Sequence, residues 1–295
     1  MSDWRAFAKL TLSLRVLKRR VDGYHELDAL TVSVGDPHDD VAVELGGARG
    51  GDGITLELSG PAAAGVAAGP DNLAVRAAYV LLDRADDDAR AAGVRIALHK
   101  RIPAGAGLGG GSADAAAVLI ALDRLLDLET PIAELASIGA ELGSDVPFCL
   151  RGGAAHMRGR GERIEPTTVP DLYVLVAVPR FAIATPAVYR AWDDLDGPVS
   201  TRVVEGPAGI GALTNDLESA AERVEPRLVG FRTRLERAAG AAAILAGSGS
   251  ACAVLYDDEA AATAARERVI AANIAPTCVV GVTRSTGVET ATGAR

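Results

Sequence analysis

From residue 6 to residue 16 the chain alternates. Ala6, Ala8, Leu10, Leu12, Leu14 and Val16 share one parity, and Lys9, Thr11, Ser13 and Arg15 share the other. A period of two predicts a half-buried strand with Lys9 and Thr11 side by side on its polar face. Val21-Asp22-Gly23-Tyr24-His25 reads as a turn into a second strand near 27–34. Two more short strands follow at 41–45 and 54–58, with a glycine-rich turn at 46–53 between them. An Ala/Gly loop covers 62–69, after which the period lengthens to that of a helix at 71–83, with Asp71 or Asn72 as its cap. A strand at 94–98 ends at Pro103 and a run of glycines. Helices are expected at 110–127 and 131–142, and strands at 146–150 and 153–158. Past Pro166 the pattern gives strands at 172–178, 242–245, 251–256 and 277–283, and helices at 185–195, 213–223, 226–238 and 258–271. Strands and helices come in blocks, without regular βαβ alternation. This predicts an α+β fold in two lobes, 1–165 and 166–295.

Composition narrows the class. In 295 residues, 49% hydrophobic and 23% charged, there is enough apolar material for a large core, which excludes a disordered, collagen-like or disulfide-scaffold chain. With 30 Lys and Arg against 39 Asp and Glu the formal charge is −9, which argues against a general nucleic-acid binder. An anionic small molecule is still allowed where basic residues gather locally. They gather near the start: Arg5, Lys9, Arg15, Lys18, Arg19 and Arg20 face Asp3 alone through residue 20. The triplet Lys18-Arg19-Arg20 reads as a surface cluster outside any site. Cys149, Cys252 and Cys278 are widely spaced, which fits a reducing compartment and not a structural zinc site. Met-Ser-Asp-Trp-Arg opens without an apolar leader, and no apolar run reaches the ~18 residues of a membrane span. A cytoplasmic protein with no membrane partner is expected.

Candidate chemistry concentrates in Pro103-Ala104-Gly105-Ala106-Gly107-Leu108-Gly109-Gly110-Gly111-Ser112-Ala113-Asp114, between a strand and an Ala-rich helix. Glycines let backbone N–H groups approach an anion, and a helix N-terminus adds unpaired donors and the positive end of the dipole. Phosphate binding is the chemistry this implies. No Lys follows the glycines as GxxxxGK[ST] requires, so a P-loop is excluded. Gly105-x-Gly107-x-x-Gly110 matches GxGxxG, but it opens no βαβ unit. Only Asp127 and Glu129, beyond the helix, stand near the acidic position of a dinucleotide fingerprint.

The string PxxxGLGGGSADAA resembles the ATP loop of the galactokinase, homoserine kinase and mevalonate kinase (GHMP) superfamily. Gly110-Gly111-Ser112 is most similar to its branch that phosphorylates 4-diphosphocytidyl-2-C-methyl-D-erythritol. Further segments resemble that branch in the family's order: Ala8-Lys9-Leu10-Thr11-Leu12 with Asp22-Gly23-Tyr24-His25-Glu26-Leu27, then Asp71-Asn72-Leu73, then Gly143-Ser144-Asp145-Val146-Pro147-Phe148. After them come Ala184-Thr185-Pro186-Ala187-Val188-Tyr189, Asn215-Asp216-Leu217-Glu218 and Gly247-Ser248-Gly249-Ser250. The resemblance covers essentially the whole chain. It implies a two-lobed GHMP kinase fold with the active site between the lobes, acting on ATP with Mg²⁺ and a small cytidine diphosphate substrate.

The resemblance also assigns roles. Asp145 would orient or deprotonate the acceptor hydroxyl; by spacing alone it reads equally as a turn or cap aspartate. Lys9 would stand beside it, keep it ionised and favour the developing alkoxide. Pro103, Gly105, Gly107, Leu108, Gly109, Gly110, Gly111 and Ser112 would hold ATP, with Asn72 and Lys100 on the adenine side, although Lys100-Arg101 also reads as a solvated strand end. Tyr24 and Tyr189 would stack on cytosine while His25 reads its edge; stacking is worth ~1–3 kcal/mol per base in nucleic-acid systems. Thr11, Thr185, Gly247, Ser248 and Gly249 complete the substrate side. Thr185 reads equally as a helix N-cap ahead of Pro186, and Tyr189 as a packing residue. Thr11 stands where this branch usually has Asn, Asp28-Ala29-Leu30-Thr31 replaces a Gln-containing stretch, and Ser250-Ala251 replaces the commoner Pro-Thr. Another superfamily kinase, acting on homoserine, mevalonate or a sugar, and a nucleotide-binding relative without turnover are the alternatives.

Overall fold

The computed structural model describes residues 2–46, 53–85, 90, 93–198 and 202–291. Residues 47–52 of the expected glycine-rich turn lie outside them. The chain opens with a long antiparallel pair, β1 (Ser2–Arg19) and β2 (His25–Leu45). The strands expected at 27–34 and 41–45 are one continuous strand. From Ala6 to Leu12 β1 is buried on both faces, while from Ser13 to Val16 it alternates as a half-buried strand, and the change follows its register. Shifts between Phe7 and Ala8 and between Thr11 and Ser13 interrupt the pairing. A one-residue slip exchanges the two faces of a strand. Accordingly Ala6, Leu14 and Val16 join one apolar cluster while Ala8, Leu10 and Leu12, of the same parity, join the other. The stretch between the two shifts thereby turns Lys9 and Thr11 away from the second cluster.

β4 (Val94–His99) lies on β2, and β3 (Ile54–Ser59) runs parallel to β4. β5 (Ala154–Gly159) pairs with the other end of β2 and with β6 (Arg163–Thr167). The same sheet continues through β7 (Tyr173–Val178), β10 (Ile244–Leu245), β11 (Cys252–Tyr256) and β12 (Thr277–Arg284) in the order β10-β11-β7-β12-β2-β1-β13. β12 meets β2 at Thr283↔Val34 and Arg284↔Ser33, and β13 (Val288–Thr290) returns to β1. β8 (Val203–Glu205) and β9 (Ala212–Thr214) form a separate small pair.

Helices α1 (Leu73–Leu82), α2 (Gly110–Leu125) and α3 (Ile132–Leu142) match their expected positions to within a few residues. So do α5 (Thr185–Asp194), α7 (Arg227–Ala239) and α8 (Glu259–Ala271). Two expectations are corrected. Residues 146–151 form a short helix, α4 (Val146–Arg151), not a strand, with Pro147 in its first turn. Five buried residues in a row, Val146 to Leu150, carry no periodicity that separates strand from buried helix. Residues 212–214 are β9, and helix α6 (Glu218–Val224) begins later than expected. α2 is the central helix: Ala113, Ala115, Ala116, Ala117 and Ala121 are fully buried, and small side chains let its axis approach β1, β2 and α1 closely.

Candidate active site

A cleft of about 830 Å³ is walled by β1, the 103–112 loop, the start of α4, the start of α5 and the turn at Gly247-Ser248. The loop is shaped by three glycines with left-handed backbone, Gly105 (φ +68°), Gly107 (φ +77°) and Gly109 (φ +71°). Gly107 has a second reason to lack a side chain, because a Cβ there would collide with the carbonyl oxygen of Ala246. At Gly109 a Cβ would come within 2.7 Å of Lys9 Cγ. The loop is tied down on both sides: Lys9 N donates to Leu108 O (3.0 Å) and Ala251 N to Ala106 O (3.1 Å). Gly109 then caps α2 through backbone alone. The first N–H groups of a helix have no intrahelical partner, so those of Gly110, Gly111 and Ser112 form an anion cradle with the dipole behind them.

At this cradle two distant segments meet. Lys9 Nζ lies 3.5 Å from Asp145 Oδ2 and 3.4 Å from Thr11 Oγ1. Lys9 is buried beneath Gly109 and beside Gly247, where a Cβ would sit 3.5 Å from its ammonium. Asp145 precedes α4 and makes no side-chain capping bond; only its carbonyl is engaged, by Cys149 N (3.0 Å). Its carboxylate is therefore left for the ammonium and the cleft. Ser112 points at the Gly143-Ser144-Asp145 turn, its Oγ 3.6 Å from where a Gly143 Cβ would stand. The pattern recognised by the model for the GHMP kinases N terminal domain spans residues 72–153, and that for the GHMP kinases C terminal domain spans 207–275.

The chain belongs to the GHMP kinases. A relative from Moorella thermoacetica, described as 4-diphosphocytidyl-2-C-methyl-D-erythritol kinase, is 42% identical over 259 residues, 83% of this chain and 87% of its own. A crystal structure titled 4-(cytidine 5'-diphospho)-2C-methyl-D-erythritol kinase superposes with a TM-score of 0.76 at 37% identity, covering 95% of this chain and 98% of that one. A homoserine kinase from Cytophaga hutchinsonii superposes at 0.66 with 18% identity over 98% and 97% of the two chains, a likeness of fold alone.

The far end of this GHMP kinase's cleft is built from rings. His25 stacks on Tyr189 (centroids 4.7 Å apart, planes 25° apart), meets the edge of Trp192 (5.4 Å) and bonds Asp193 Oδ1 through Nε2 (2.7 Å). Burial, together with the Asp145 charge, pushes the Tyr189 phenol well above its usual range, so it stays a neutral donor. Tyr24 is half exposed at the mouth, with the Arg160 guanidinium over its face (4.8 Å). Thr185 is not an N-cap: Ala184 holds that position, and Thr185 Oγ1 bonds Ser248 Oγ (2.7 Å), tying α5 to the glycine turn. Asn215, buried, donates to Leu245 O (3.0 Å) and Gly247 O (2.7 Å) and so fixes that turn from behind.

Three expected ligand residues lie outside the cleft wall. Asn72 caps α1, its Oδ1 accepting from Ala74 N (2.9 Å) and its Nδ2 donating to Ala67 O (2.7 Å). Lys100 is no solvated strand end and offers no ammonium to adenine: it is 2% exposed and paired with both Asp39 and Asp114. Gly249 turns the loop behind Ser248, where a side chain would press on Leu245. Conversely Arg19, assigned by sequence to the surface, lines the cleft, as do Thr31, Ser144, Arg160, Arg190 and Asp193. Thr31 sits opposite Thr11 in the β1–β2 register, and its buried hydroxyl has no partner among the described residues. Asp193 lies one helical turn after Tyr189, a spacing that puts both on one face and was available in the sequence.

Among the described residues no three His, Cys, Asp or Glu side chains cluster as a metal cage. Mg²⁺ does not need one, since it keeps several waters and is held by one or two carboxylates plus substrate phosphates. Ser112, whose hydroxyl lies at the head of α2 beside the cradle, fits such a phosphate-bound ion.

Proposed function

We propose that this GHMP kinase transfers the γ-phosphoryl group of ATP to the 2-hydroxyl of 4-diphosphocytidyl-2-C-methyl-D-erythritol, giving ADP and the 2-phosphate. The Lys9–Asp145 contact at the edge of the glycine cradle carries this reading. Phosphoryl transfer asks the protein for positioning and charge stabilisation more than for covalent chemistry. The N–H groups at the head of α2 hold phosphate oxygens. Asp145 accepts a hydrogen bond from the acceptor hydroxyl and takes its proton as the O–P bond forms. Lys9 offsets the negative charge that grows between nucleophile and phosphorus. Mg²⁺, held by the nucleotide's phosphates with Ser112 beside them, would draw charge from the phosphate oxygens.

The acceptor's cytidine is supported by the ring-lined end of the cleft, where Tyr24 stands half exposed at the mouth and His25 and Tyr189 stack on one another. Homoserine or mevalonate would leave that end empty. The test compares ADP release with the cytidyl compound, homoserine, mevalonate and galactose as acceptors. A kcat/KM at least ~100-fold higher for the cytidyl compound is expected, the scale that a base stacked between two rings supplies. Equal turnover with a small alcohol overturns the substrate, and nucleotide binding without ADP release overturns the kinase chemistry.

A further inference from the structure

We infer that the buried trio of Lys100, Asp39 and Asp114 positions the phosphate cradle, with one ammonium clamping the two ends of the glycine loop together. The inference rests on the reading of that cradle as the ATP site and deepens it; it gives Lys100 a different role from the adenine contact expected of it. The chain enters the loop through Lys100-Arg101-Ile102 and leaves it through α2. On the entry side, Asp39 Oδ1 accepts from the backbone N–H groups of Arg101 (2.5 Å) and Ile102 (2.9 Å). On the exit side, Asp114 stands one turn into α2. Lys100 Nζ donates to Asp39 Oδ2 and to Asp114 Oδ2, so the carboxylate that fixes the entry and the one carried by the exit share a cation. An ammonium has three N–H donors and can serve both. The two ends also touch directly: a Cβ on Gly110, the first residue of α2, would lie 2.8 Å from Ile102 Cγ2.

Stability alone does not account for the trio. Charged groups this deep cost desolvation, and a buried ion pair can often be replaced by packed apolar side chains without loss. Here all three residues are buried, and Asp114 Oδ1 has no partner among the described residues. What the trio supplies is direction. The cradle binds through the N–H groups of Gly110, Gly111 and Ser112, and their aim is set by the pose of the first turn of α2. The carbonyls of Ala106 and Leu108 hold the middle of the loop; the trio holds its ends. Asp114 therefore acts at one remove: it touches no phosphate, and aims the N–H groups that do.

Asp114→Ala cuts the tie to α2 and leaves Lys100 with Asp39 as its counter-charge, so this variant should fold. Two independent arms read it. In the first, ATP and inorganic tripolyphosphate are titrated into wild type, Asp114→Ala and Asp114→Asn, each shown to be folded by circular dichroism. In the alanine variant both ligands should bind about tenfold more weakly, the scale of one charge-assisted hydrogen bond. KM for ATP should rise with it, and KM for the acceptor should not. The asparagine variant keeps an acceptor oxygen for Lys100 and should recover part of the affinity. Affinities that stay at their wild-type values, or that fall for ATP but not for tripolyphosphate, overturn the inference. The second arm is amide hydrogen exchange without ligand. Lys9 and Ala251 donate to the Leu108 and Ala106 carbonyls, and Ala113 to that of Gly109. These amides should exchange about tenfold faster in Asp114→Ala, while those that pair β7 with β11 keep their wild-type rates. Exchange that rises equally in both places marks a merely structural role and overturns the inference, as does exchange that rises in neither. A wild type that binds neither ligand overturns the ATP reading of the cradle instead, while the exchange arm still decides whether the trio holds the loop.

Discussion

A buried lysine is costly unless a partner compensates its charge, and Lys9 has one carboxylate, one hydroxyl and a roof of glycine. That environment makes the ammonium a fixed charge and not a mobile one, which suits a group meant to meet developing negative charge without reorganising. Lys9→Met keeps the length and removes the charge. Its kcat is expected to fall at least ~100-fold, the usual loss for one transition-state electrostatic partner. Asp145→Asn should fall by a similar factor. The double variant should be little worse than either single one, because the two act as a unit. Steady-state ADP release gives the three values, and ATP affinity measured by titration should stay within a few-fold. A double variant whose loss equals the product of the single losses would contradict a coupled pair.

At the scale of elements, much was legible because local patterns carried it. The period-two run announced β1 and placed Lys9 beside Thr11; the glycines between a strand and an alanine-rich helix announced the cradle. What escaped was set by partners far away in sequence. The register shifts in β1 are invisible until β2 pairs with it, so burial of Lys9 and Thr11 could not be read from alternation alone. Lys100 stood next to Arg101 and looked solvated, yet Asp39, 61 residues before it, and Asp114, 14 residues after it, close around its ammonium. This buried trio joins β2, the end of β4 and the second turn of α2. Asp39 is fixed by the backbone N–H of Ile102 (2.9 Å), while Asp114 Oδ1 has no partner among the described residues. Burial pushes the Asp114 carboxyl up to about 7, against the pull of Lys100 and with the help of the Asp39 charge. A carboxyl with a higher pKa folded than unfolded (~3.9) binds more proton in the native state, so it removes stability as pH rises from ~4 through its folded pKa. Asp114→Asn abolishes that loss. The variant's stability relative to wild type should therefore rise between pH 5 and pH 8, by ~1 kcal/mol or more, in urea unfolding at the two pH values. A difference that stays flat or falls refutes the assignment. Within the same elements, Gly107→Ala meets both an unfavourable φ and the Ala246 carbonyl. It should lower Tm by several degrees, since the backbone conformation alone costs ~1–2 kcal/mol.

At the scale of the whole molecule, the two halves expected from the sequence, 1–165 and 166–295, pack on one another along shared apolar clusters. Each apolar cluster draws on both halves: Leu10, Val32 and Leu108 pack with Val174, Leu213 and Ala253 in one, and Trp4, Leu81 and Phe148 belong with Leu175, Phe231 and Val254 in the other. The sheet crosses the boundary through the β2–β12 pairing, and the end of the chain crosses back through β13 on β1. The turn before β13 is also pressed against the catalytic side: Phe7 N donates to Gly287 O (3.0 Å), and a Cβ on Gly287 would collide with the Cys149 carbonyl in α4, the helix that Asp145 leads. A cleft between lobes with separate cores would open and close as the lobes move. Here Lys9 and Asp145, 3.5 Å apart, both come from residues 1–165, while the facing wall of Thr185, Tyr189 and Gly247 comes from 166–295 and is joined to it by shared apolar clusters. The expected consequence is a single cooperative transition in urea, with circular dichroism and tryptophan fluorescence coincident, and a 1–165 fragment that lacks that transition because β1 and β2 each lose a partner strand. Two separated transitions, or a fragment that unfolds cooperatively by itself, would show that the halves are independent. The site geometry would then have to be maintained by the cleft contacts alone, and Gly287→Ala, which strains only the junction, would leave kcat untouched instead of lowering it together with Tm.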